Sequence, residues 1–327
     1  MTRARIAALL FFQCAFVTPA VADERYALIV SGASGGTVYA EQYAGWTTEL
    51  ATTLGERMNF EKRNVIVLSD SGSDTNDAST ATAINVRRAI GTVRQRMTRD
   101  DLLFIVLIGH GTFDGVDAKF NLVGPDLESA EWAALLDGLP GRLVLVNTAP
   151  ASFPFLERLA GPRRIVITAT DTVAQRFDTM FPAFFVKAFR DESRDIDKNG
   201  RISVWEAFVG ASDAVRRYYQ QQGQLATERP LLDDNGDGVG HEATSRGDDG
   251  SVASRTYLDT PVPGAAPTDE VLLQLLQRRA ALEAEVEDLK IRKSFLAPLE
   301  YQKEFERLMI ELARVARDIR KRGSDHQ

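Results

Sequence analysis

The chain has 327 residues, of which 44% are hydrophobic and 26% are charged. These values are ordinary for a globular protein, and the length allows one large domain or two modest ones. The net charge of -7, from 46 acidic and 39 basic side chains, argues against a nucleic-acid-binding surface.

The first 22 residues have the pattern of a secretory signal peptide. Arg3 and Arg5 precede an apolar stretch from Ile6 to Val17, and Ala20 and Ala22 occupy the small-residue positions of a signal-peptidase site. The alternative is a short membrane anchor, but about a dozen apolar residues fall short of the roughly 20 that span a bilayer. We therefore predict cleavage after Ala22, export to the periplasm or the exterior, and no transmembrane span in the mature chain.

Cysteine use limits the chemistry of the exported protein. Cys14 is the only cysteine, and it lies inside the predicted signal peptide. The mature chain would then contain no disulfide, no thiolate-metal site and no cysteine nucleophile.

Five short runs rich in valine and isoleucine predict buried parallel strands. They cover residues 26–32, 64–70, 102–109, 142–148 and 164–170. Segments with helical spacing lie between or after them, at residues 42–58, 80–97, 129–139, 155–161 and 181–189. This alternation predicts a doubly wound, mainly parallel α/β sheet, with functional residues at the carboxyl ends of the strands.

The first strand ends in the segment "SGASGGT". Gly32, Ser34 and Gly36 fit the G-x-S-x-G pattern of a hydrolase nucleophile, and the glycines could also surround a phosphate. Neither match is specific, and the alternative is a tight turn that uses the conformational freedom of glycine.

The third and fourth strands end in "LIGHG" and "VNTAPAS", which place His110 and residues 146–152 at the same sheet edge. In these two motifs the segment 25–225 resembles the caspase-like fold, and within it the legumain-like cysteine peptidases. The resemblance implies a caspase-like sheet, His110 as the catalytic base, and a nucleophilic cysteine at the position of Ala149. A methyl group cannot attack a carbonyl, so His110 would be a vestigial base and the chain a pseudoenzyme.

Two alternatives for this sheet edge stay open. In the first, a hydroxyl of Ser152, Thr148 or Ser34 is the nucleophile and His110 its base, which would make the chain an active hydrolase. Otherwise His110 is a residual histidine that bonds the strand ends and supports packing.

The segment "DIDKNGRISVWE" matches the twelve-residue EF-hand calcium loop, with Gly200 at the turn and Ile202 at the hydrophobic eighth position. Segments 181–193 and 204–219 are expected to form the entering and exiting helices. The predicted ligands are Asp195, Asp197, Asn199, the backbone carbonyl of Arg201, Ser203 and Glu206.

A second acidic loop, "DDNGDGVGHE", begins in the same register and then diverges, because a glutamate stands at position ten rather than twelve. It is similar to shortened calcium loops, and the alternative is an acidic turn without metal. Its predicted ligands are Asp233, Asn235, Asp237, the carbonyl of Val239 and Glu242. In an exported protein such calcium sites are expected to be weak structural clips.

The C-terminal part carries heptad spacing in two helices joined by a proline-containing turn, which predicts a helical hairpin or a coiled coil. The apolar positions are Leu272, Leu275, Leu282, Val286, Leu289, Tyr301, Phe305, Leu308, Leu312, Val315 and Ile319. The hairpin could mediate self-association or could pack on its own domain.

The predicted organisation is a signal peptide (1–22), a caspase-like α/β domain (23–190), an EF-hand-type region (191–246), a linker (247–267) and the hairpin (268–322). Three functions remain. The chain is a silent calcium-binding homologue that binds a protein or peptide partner, a hydroxyl hydrolase, or a purely structural calcium module.

Overall fold

The structure, a computed structural model, describes residues 23–70, 77–197, 199–245, 247–260 and 296–324, together with residues 271, 275, 278, 279, 282, 285, 286, 289 and 293. The strands are β1 (Arg25–Ser31), β2 (Val65–Leu68), β3 (Leu102–Ile108), β4 (Gly111–Phe113), β5 (Ala118–Phe120), β6 (Leu127–Glu128), β7 (Arg142–Asn147), β8 (Arg164–Thr168) and β9 (Leu231–Asp233). The helices are α1 (Thr37–Glu56), α2 (Ala83–Arg96), α3 (Ser129–Leu136), α4 (Phe153–Leu159), α5 (Phe181–Ala188), α6 (Val204–Gln221) and α7 (Pro298–Ser324).

A six-stranded sheet in the order β2-β1-β3-β7-β8-β9 forms the centre of the fold. Its first five strands are parallel and coincide with the five predicted strands, which confirms the mainly parallel α/β class. β9 was not predicted, and it adds antiparallel to β8, with Asp233 opposite Val166. A three-residue strand is too short to show a periodic pattern.

Helices cover both faces of the sheet, as the double winding requires. Ala27 and Ile29 pack in a core with residues of α1, α5 and α6, whereas Leu28 and Val30 pack in a second core with residues of α2, α3 and α4. Successive side chains of a strand point to opposite faces, so a central strand that is buried on both sides reads as a continuous apolar run.

A small antiparallel sheet, β4-β5-β6, follows β3 and holds the chain beyond His110. The Asn121 amide donates to the His110 carbonyl at 3.0 Å, and the Ala33 amide donates to the Asn121 carbonyl at 3.1 Å. A Cβ atom on Gly32 would lie 2.1 Å from that Asn121 carbonyl oxygen, so this close approach requires glycine.

Two expected boundaries differ in the structure. The helix expected to enter the first acidic loop ends at Ala188, and a 3-10 turn at Glu192–Arg194 leads to Asp195 instead. Residues 247–260, expected to begin the linker, are packed on the domain, with Ala253 and Leu258 fully buried in the core beside α6. Glycine and acidic residues in this segment gave it the composition of a loop.

The C-terminal hairpin has a small core of its own. The described residues from 271 to 289 are helical, and Leu282, Val286 and Leu289 pack against Leu308 of α7. Among the residues that the structure describes, every helix is too short or too polar to span a lipid bilayer. The predicted signal peptide, with Cys14, lies outside the described residues, and so does Leu272.

Candidate functional site

His110 lies at the carboxyl edge of the sheet, directly beyond β3, with a quarter of its side chain exposed. Its Nε2 atom is 3.1 Å from the backbone carbonyl oxygen of Ser34, and its Nδ1 atom is 3.3 Å from Oδ1 of Asp178. Tyr39 and Tyr43 of α1 pack edge-on against the imidazole, with ring centroids 4.8 and 5.6 Å away. The ring is therefore held from three sides.

The partners of His110 define the protons that its ring can share. A carbonyl oxygen only accepts, so the contact with Ser34 is a hydrogen bond when Nε2 carries a proton. Asp178 also accepts, so a proton on Nδ1 makes that contact a hydrogen bond, and both bonds exist together only when both ring nitrogens carry a proton. The Tyr43 hydroxyl is 3.4 Å from Nδ1 and 3.3 Å from Nε2, so it lies within hydrogen-bond distance of both ring nitrogens.

The position expected to hold a nucleophile carries only the methyl group of Ala149, and that residue is 1% exposed. It follows β7 directly and packs beside the backbone that follows His110, since a Cβ atom on Gly111 would lie 3.2 Å from the Ala149 Cβ atom. Nearby, Ala151 has a φ of 51°, in the left-handed region that favours glycine. The backbone thus keeps a strained turn where reactive residues commonly stand.

The hydroxyls of Thr148 and Ser152 are committed to other partners. Thr148 donates to the Leu107 carbonyl at 2.7 Å, and Ser152 lies 3.1 Å from the Thr170 hydroxyl. Both side chains are 1% exposed. Neither is hydrogen-bonded to His110, which a hydroxyl activated by this base would have to be.

Ser34 is equally engaged, although its carbonyl touches the imidazole. Its backbone amide and its hydroxyl both donate to Oδ2 of Asp70, at 2.9 and 2.8 Å. Gly35 has a φ of 69°, so the segment after β1 is the tight turn that the glycines allow.

Three of the residues around His110 were not predicted from the sequence. Tyr39 and Tyr43 face the imidazole one helical turn apart, and their spacing was a usable signal. Asp178 lies in an irregular segment without periodicity and accepts a hydrogen bond from the Tyr39 hydroxyl. That bond raises the pKa of Tyr39, and burial raises the pKa of Tyr43, so both hydroxyls stay protonated at neutral pH.

The first acidic loop brings three carboxylates together. One oxygen each of Asp195, Asp197 and Glu206 lies within 4.8 Å of the other two. Elsewhere in the part of the chain that the structure describes, no three side chains of histidine, cysteine, aspartate or glutamate meet this closely. This group could hold a metal ion.

Side-chain acceptors hold the backbone of this loop in its turn. Asp195 accepts from the amides of Asn199 and Gly200 at 3.1 and 2.9 Å, and Gly200 has the positive φ of 82° that the turn requires. Glu206 Oε1 accepts from the Ile196 amide at 2.7 Å, which closes the two ends of the loop on each other.

The last residues of the loop also begin α6. Ser203 is the N-cap, and its hydroxyl accepts from the Glu206 amide at 3.2 Å. In return Glu206 Oε2 accepts from the Ser203 amide at 2.9 Å, which completes a capping box. Glu206 is 5% exposed, so a stable helix end fixes the carboxylate in place.

The electrostatics of the loop are unfavourable without a cation. Burial raises the pKa of Asp197, and the negative charge of Glu206 raises it further, while the guanidinium of Arg279 acts in the opposite direction. Like charges this close destabilise one another, and a bound cation would remove the repulsion.

The second acidic loop has a different arrangement. Asp233 accepts from the amides of Gly236 and Gly238 at 2.7 and 2.8 Å, so the loop turns as the predicted register requires. Glu242, however, lines a separate cleft with Arg216 and Glu228, and it forms no close group with Asp233 and the other acidic residues of the loop. Metal binding here stays a prediction.

A group of buried, hydrogen-bonded polar side chains beside this loop was also not predicted from the sequence. Asp234 accepts from the amides of Gly250 and Ala253 at 2.8 and 2.6 Å, and Asp249 lies 2.6 Å from Nδ1 of His241. Burial raises the pKa of Asp249 to about 6. These bonds hold residues 247–255 on the domain, which explains why the segment is not a linker.

Comparison with known proteins adds little to this geometry. No protein-family profile matches the chain, and no curated protein matches it. A structural-genomics target from Geobacter sulfurreducens is similar in structure at 15% identity and a TM-score of 0.40, over 68% of this chain and 98% of its own. Caspase-1 from Spodoptera frugiperda is similar at 7% identity and a TM-score of 0.41, over 65% of this chain and 86% of its own. Scores this low carry no conclusion about family or chemistry. The architecture itself is mixed α/β with a mainly parallel six-stranded sheet.

Proposed function

We propose that this chain is an exported, calcium-binding homologue of the caspase-like peptidases that acts by binding or assembly and not by peptide hydrolysis. The observation that carries the proposal is the convergence of Asp195, Asp197 and Glu206 in a loop with EF-hand spacing. Its complement is the methyl group of Ala149 at the position where the resemblance implies a nucleophile.

Calcium fits the donors of the first loop. Ca²⁺ takes six to eight oxygen ligands, and carboxylates, an amide oxygen and a backbone carbonyl are the donors present. Burial and the negative charge of Glu206 raise the pKa of Asp197, so a cation bound beside Asp197 would stabilise its charged form. No nitrogen or sulfur ligand lies among the predicted donors, so a transition metal is a poorer fit.

The cleft around His110, whose lining includes Tyr39, Tyr43, Pro150 and Asp178, supports binding without hydrolysis. The candidate hydroxyls of Ser34, Thr148 and Ser152 donate to or contact other groups, so the hydrolase alternative has no geometric support. The aromatic and acidic groups at the cleft could still contact a peptide or a protein partner. Self-association through the C-terminal hairpin is a second route to assembly.

Thermal unfolding with and without calcium tests the metal part of the proposal. A ligand that binds only the folded state stabilises it, by about 2.7 kcal/mol at a hundredfold excess over Kd. We expect millimolar Ca²⁺ to raise the Tm of the full-length protein and excess chelator to lower it, whereas Mg²⁺ at the same concentration has a smaller effect. A Tm that is the same in calcium and in chelator would contradict the proposal.

Labelling with a fluorophosphonate tests whether a hydroxyl near His110 is catalytically active. The calcium-loaded protein should not react, because no hydroxyl bonds to His110. Covalent labelling of the wild type that disappears in His110→Ala would show an active hydroxyl and would replace this proposal with the hydrolase alternative.

A further inference from the structure

The first acidic loop also contacts the C-terminal hairpin. Arg279, in the helical part of the hairpin, donates through Nη2 to Oδ2 of Asp197 at 2.9 Å. The Arg279 side chain is 17% exposed and that of Asp197 is 40% exposed, so the pair is partly shielded from water. A cation supplied by the protein itself thus touches one of the three converging carboxylates.

Residues 256–259, which precede the hairpin in the sequence and which we call its root, are attached to the same loop by other contacts. Val204 donates its amide to the Thr256 carbonyl at 2.9 Å, and Arg201 bonds both carboxylate oxygens of Asp259 at 2.7 to 3.0 Å. The Arg201 guanidinium also lies over the Tyr257 ring, 4.0 Å from its centroid. None of these contacts uses a carboxylate of the converging group.

The two sets of contacts respond differently to a bound divalent cation. Arg201 is expected to offer only its backbone carbonyl, so its side chain can keep Asp259. Asp197 is expected to offer its carboxylate, and the guanidinium bonded to that carboxylate would then lie within a few ångströms of a divalent charge. Two cations at that distance repel strongly.

We infer that calcium and the Arg279 contact of the C-terminal hairpin compete for Asp197, so that calcium binding loosens the hairpin from the loop while its root stays attached. This inference rests on the proposed calcium site and assigns its regulation. Linkage is reciprocal, so the docked hairpin must weaken calcium binding by the same factor by which calcium weakens docking.

Calcium titration of the full-length protein tests the first half of this linkage. Arg279→Ala should bind Ca²⁺ about three- to tenfold more tightly than the wild type, because a positive charge leaves the site. Arg278→Ala is the matched control, since Arg278 pairs with Glu285 and Glu311 inside the hairpin and its removal changes the net charge equally. Its calcium affinity should stay within about twofold of the wild type.

A distance measurement tests the second half. In a Cys14→Ser background, Gln220→Cys near the end of α6 and Lys303→Cys on α7 give two exposed sites for spin labels. Saturating Ca²⁺ should shift or broaden the distance distribution in the wild type. In Arg279→Ala the distribution should already be broad without calcium and should change little on its addition.

The outcomes separate the inference from the proposed function. Calcium binding with equal affinity in Arg279→Ala and Arg278→Ala, or a wild-type distance that ignores saturating calcium, overturns the competition and leaves the calcium site standing. Absence of calcium binding in every variant overturns both. A variant whose circular dichroism shows loss of folding is replaced by Arg279→Gln, which keeps the length of the side chain and removes its charge.

Discussion

The cleft around His110 and the loop from Asp195 to Glu206 are both clusters of polar side chains, but they differ in how their charges and hydrogen bonds are balanced. In the cleft, the polar groups satisfy one another, and Ala149 contributes only a methyl group. In the loop, three carboxylate groups converge, and burial together with the negative charge of Glu206 raises the pKa of Asp197. Satisfied contacts suit a binding surface, whereas converging carboxylates suit the binding of a cation.

The largest expected effect comes from returning a thiol to the cleft. Ala149→Cys should react with a peptide chloromethyl ketone at least about tenfold faster than Thr148→Cys, because an imidazole nearby raises the thiolate fraction. Both variants are made in a Cys14→Ser background, and labelling is followed by mass spectrometry. Thr148 is equally buried, but its side chain points to the Leu107 carbonyl.

The Ala149→Cys reaction should fall to the rate of the control when His110→Ala is added. Equal rates for the two cysteine variants would mean that His110 does not activate a thiol at position 149, and the proposed relation to the caspase-like peptidases would lose the support of this site.

The second prediction concerns Glu228, which accepts hydrogen bonds from the backbone at the start of α5. Glu228 accepts from the amides of Met180 and Phe181 at 2.7 and 3.0 Å, just beyond Asp178, and burial raises the pKa of Glu228 to about 7. Between its ordinary pKa of 4.5 and 7, the folded protein holds a proton that the unfolded chain releases. The stability from this group is therefore full below pH 4.5 and is lost as the pH rises through 7.

Urea unfolding at pH 5 and pH 8 measures this loss. Relative to Glu228→Gln, the wild type should lose about 2 kcal/mol of unfolding free energy between the two values, since one pKa unit is about 1.4 kcal/mol. The exposed Glu41→Gln is the control and should follow the wild type at both pH values. A difference between wild type and Glu228→Gln that does not depend on pH would contradict the assignment.

The smallest effect is expected at the strained turn of Ala151, two residues after Ala149. Ala151 has a φ of 51°, which costs an alanine about 1 kcal/mol or more. Ala151→Gly should raise the unfolding free energy by about 0.5 to 1 kcal/mol. Ala160→Gly, at a φ of -52°, should lower it instead. Chemical denaturation that shows a loss in both variants would mean that the turn is not strained.

Much of the fold was predictable because buried parallel strands are continuous apolar runs. β1, β2, β3, β7 and β8 and the helices between them lie where the pattern placed them. The same logic located His110 and residues 146–152 at one sheet edge, because the carboxyl ends of neighbouring parallel strands meet there, whereas the choice of Ala149 came from the resemblance.

The remaining features depend on contacts between distant segments. Asp178 reaches His110 from a segment without periodicity, and Arg279 reaches Asp197 across 82 residues. Asp234 and its bonds to residues 250–253 bury a segment that has the composition of a loop. Spacing along the chain contains no signal for such contacts, whereas the predicted ligands of the first acidic loop are local and regular.

Isothermal titration of the full-length protein with Ca²⁺, beside Glu206→Gln and Glu192→Gln, tests the complete loop most directly. Glu192 is 88% exposed on its side chain and pairs only weakly with Arg57 at 3.4 Å, so its substitution changes the charge near the loop without touching the converging group. The wild type and Glu192→Gln should bind with a Kd of about 10⁻⁴ to 10⁻³ M or tighter, and Glu206→Gln about a hundredfold more weakly. Wild-type protein that binds no calcium, or Glu206→Gln that binds it as well as the wild type, would contradict the calcium site.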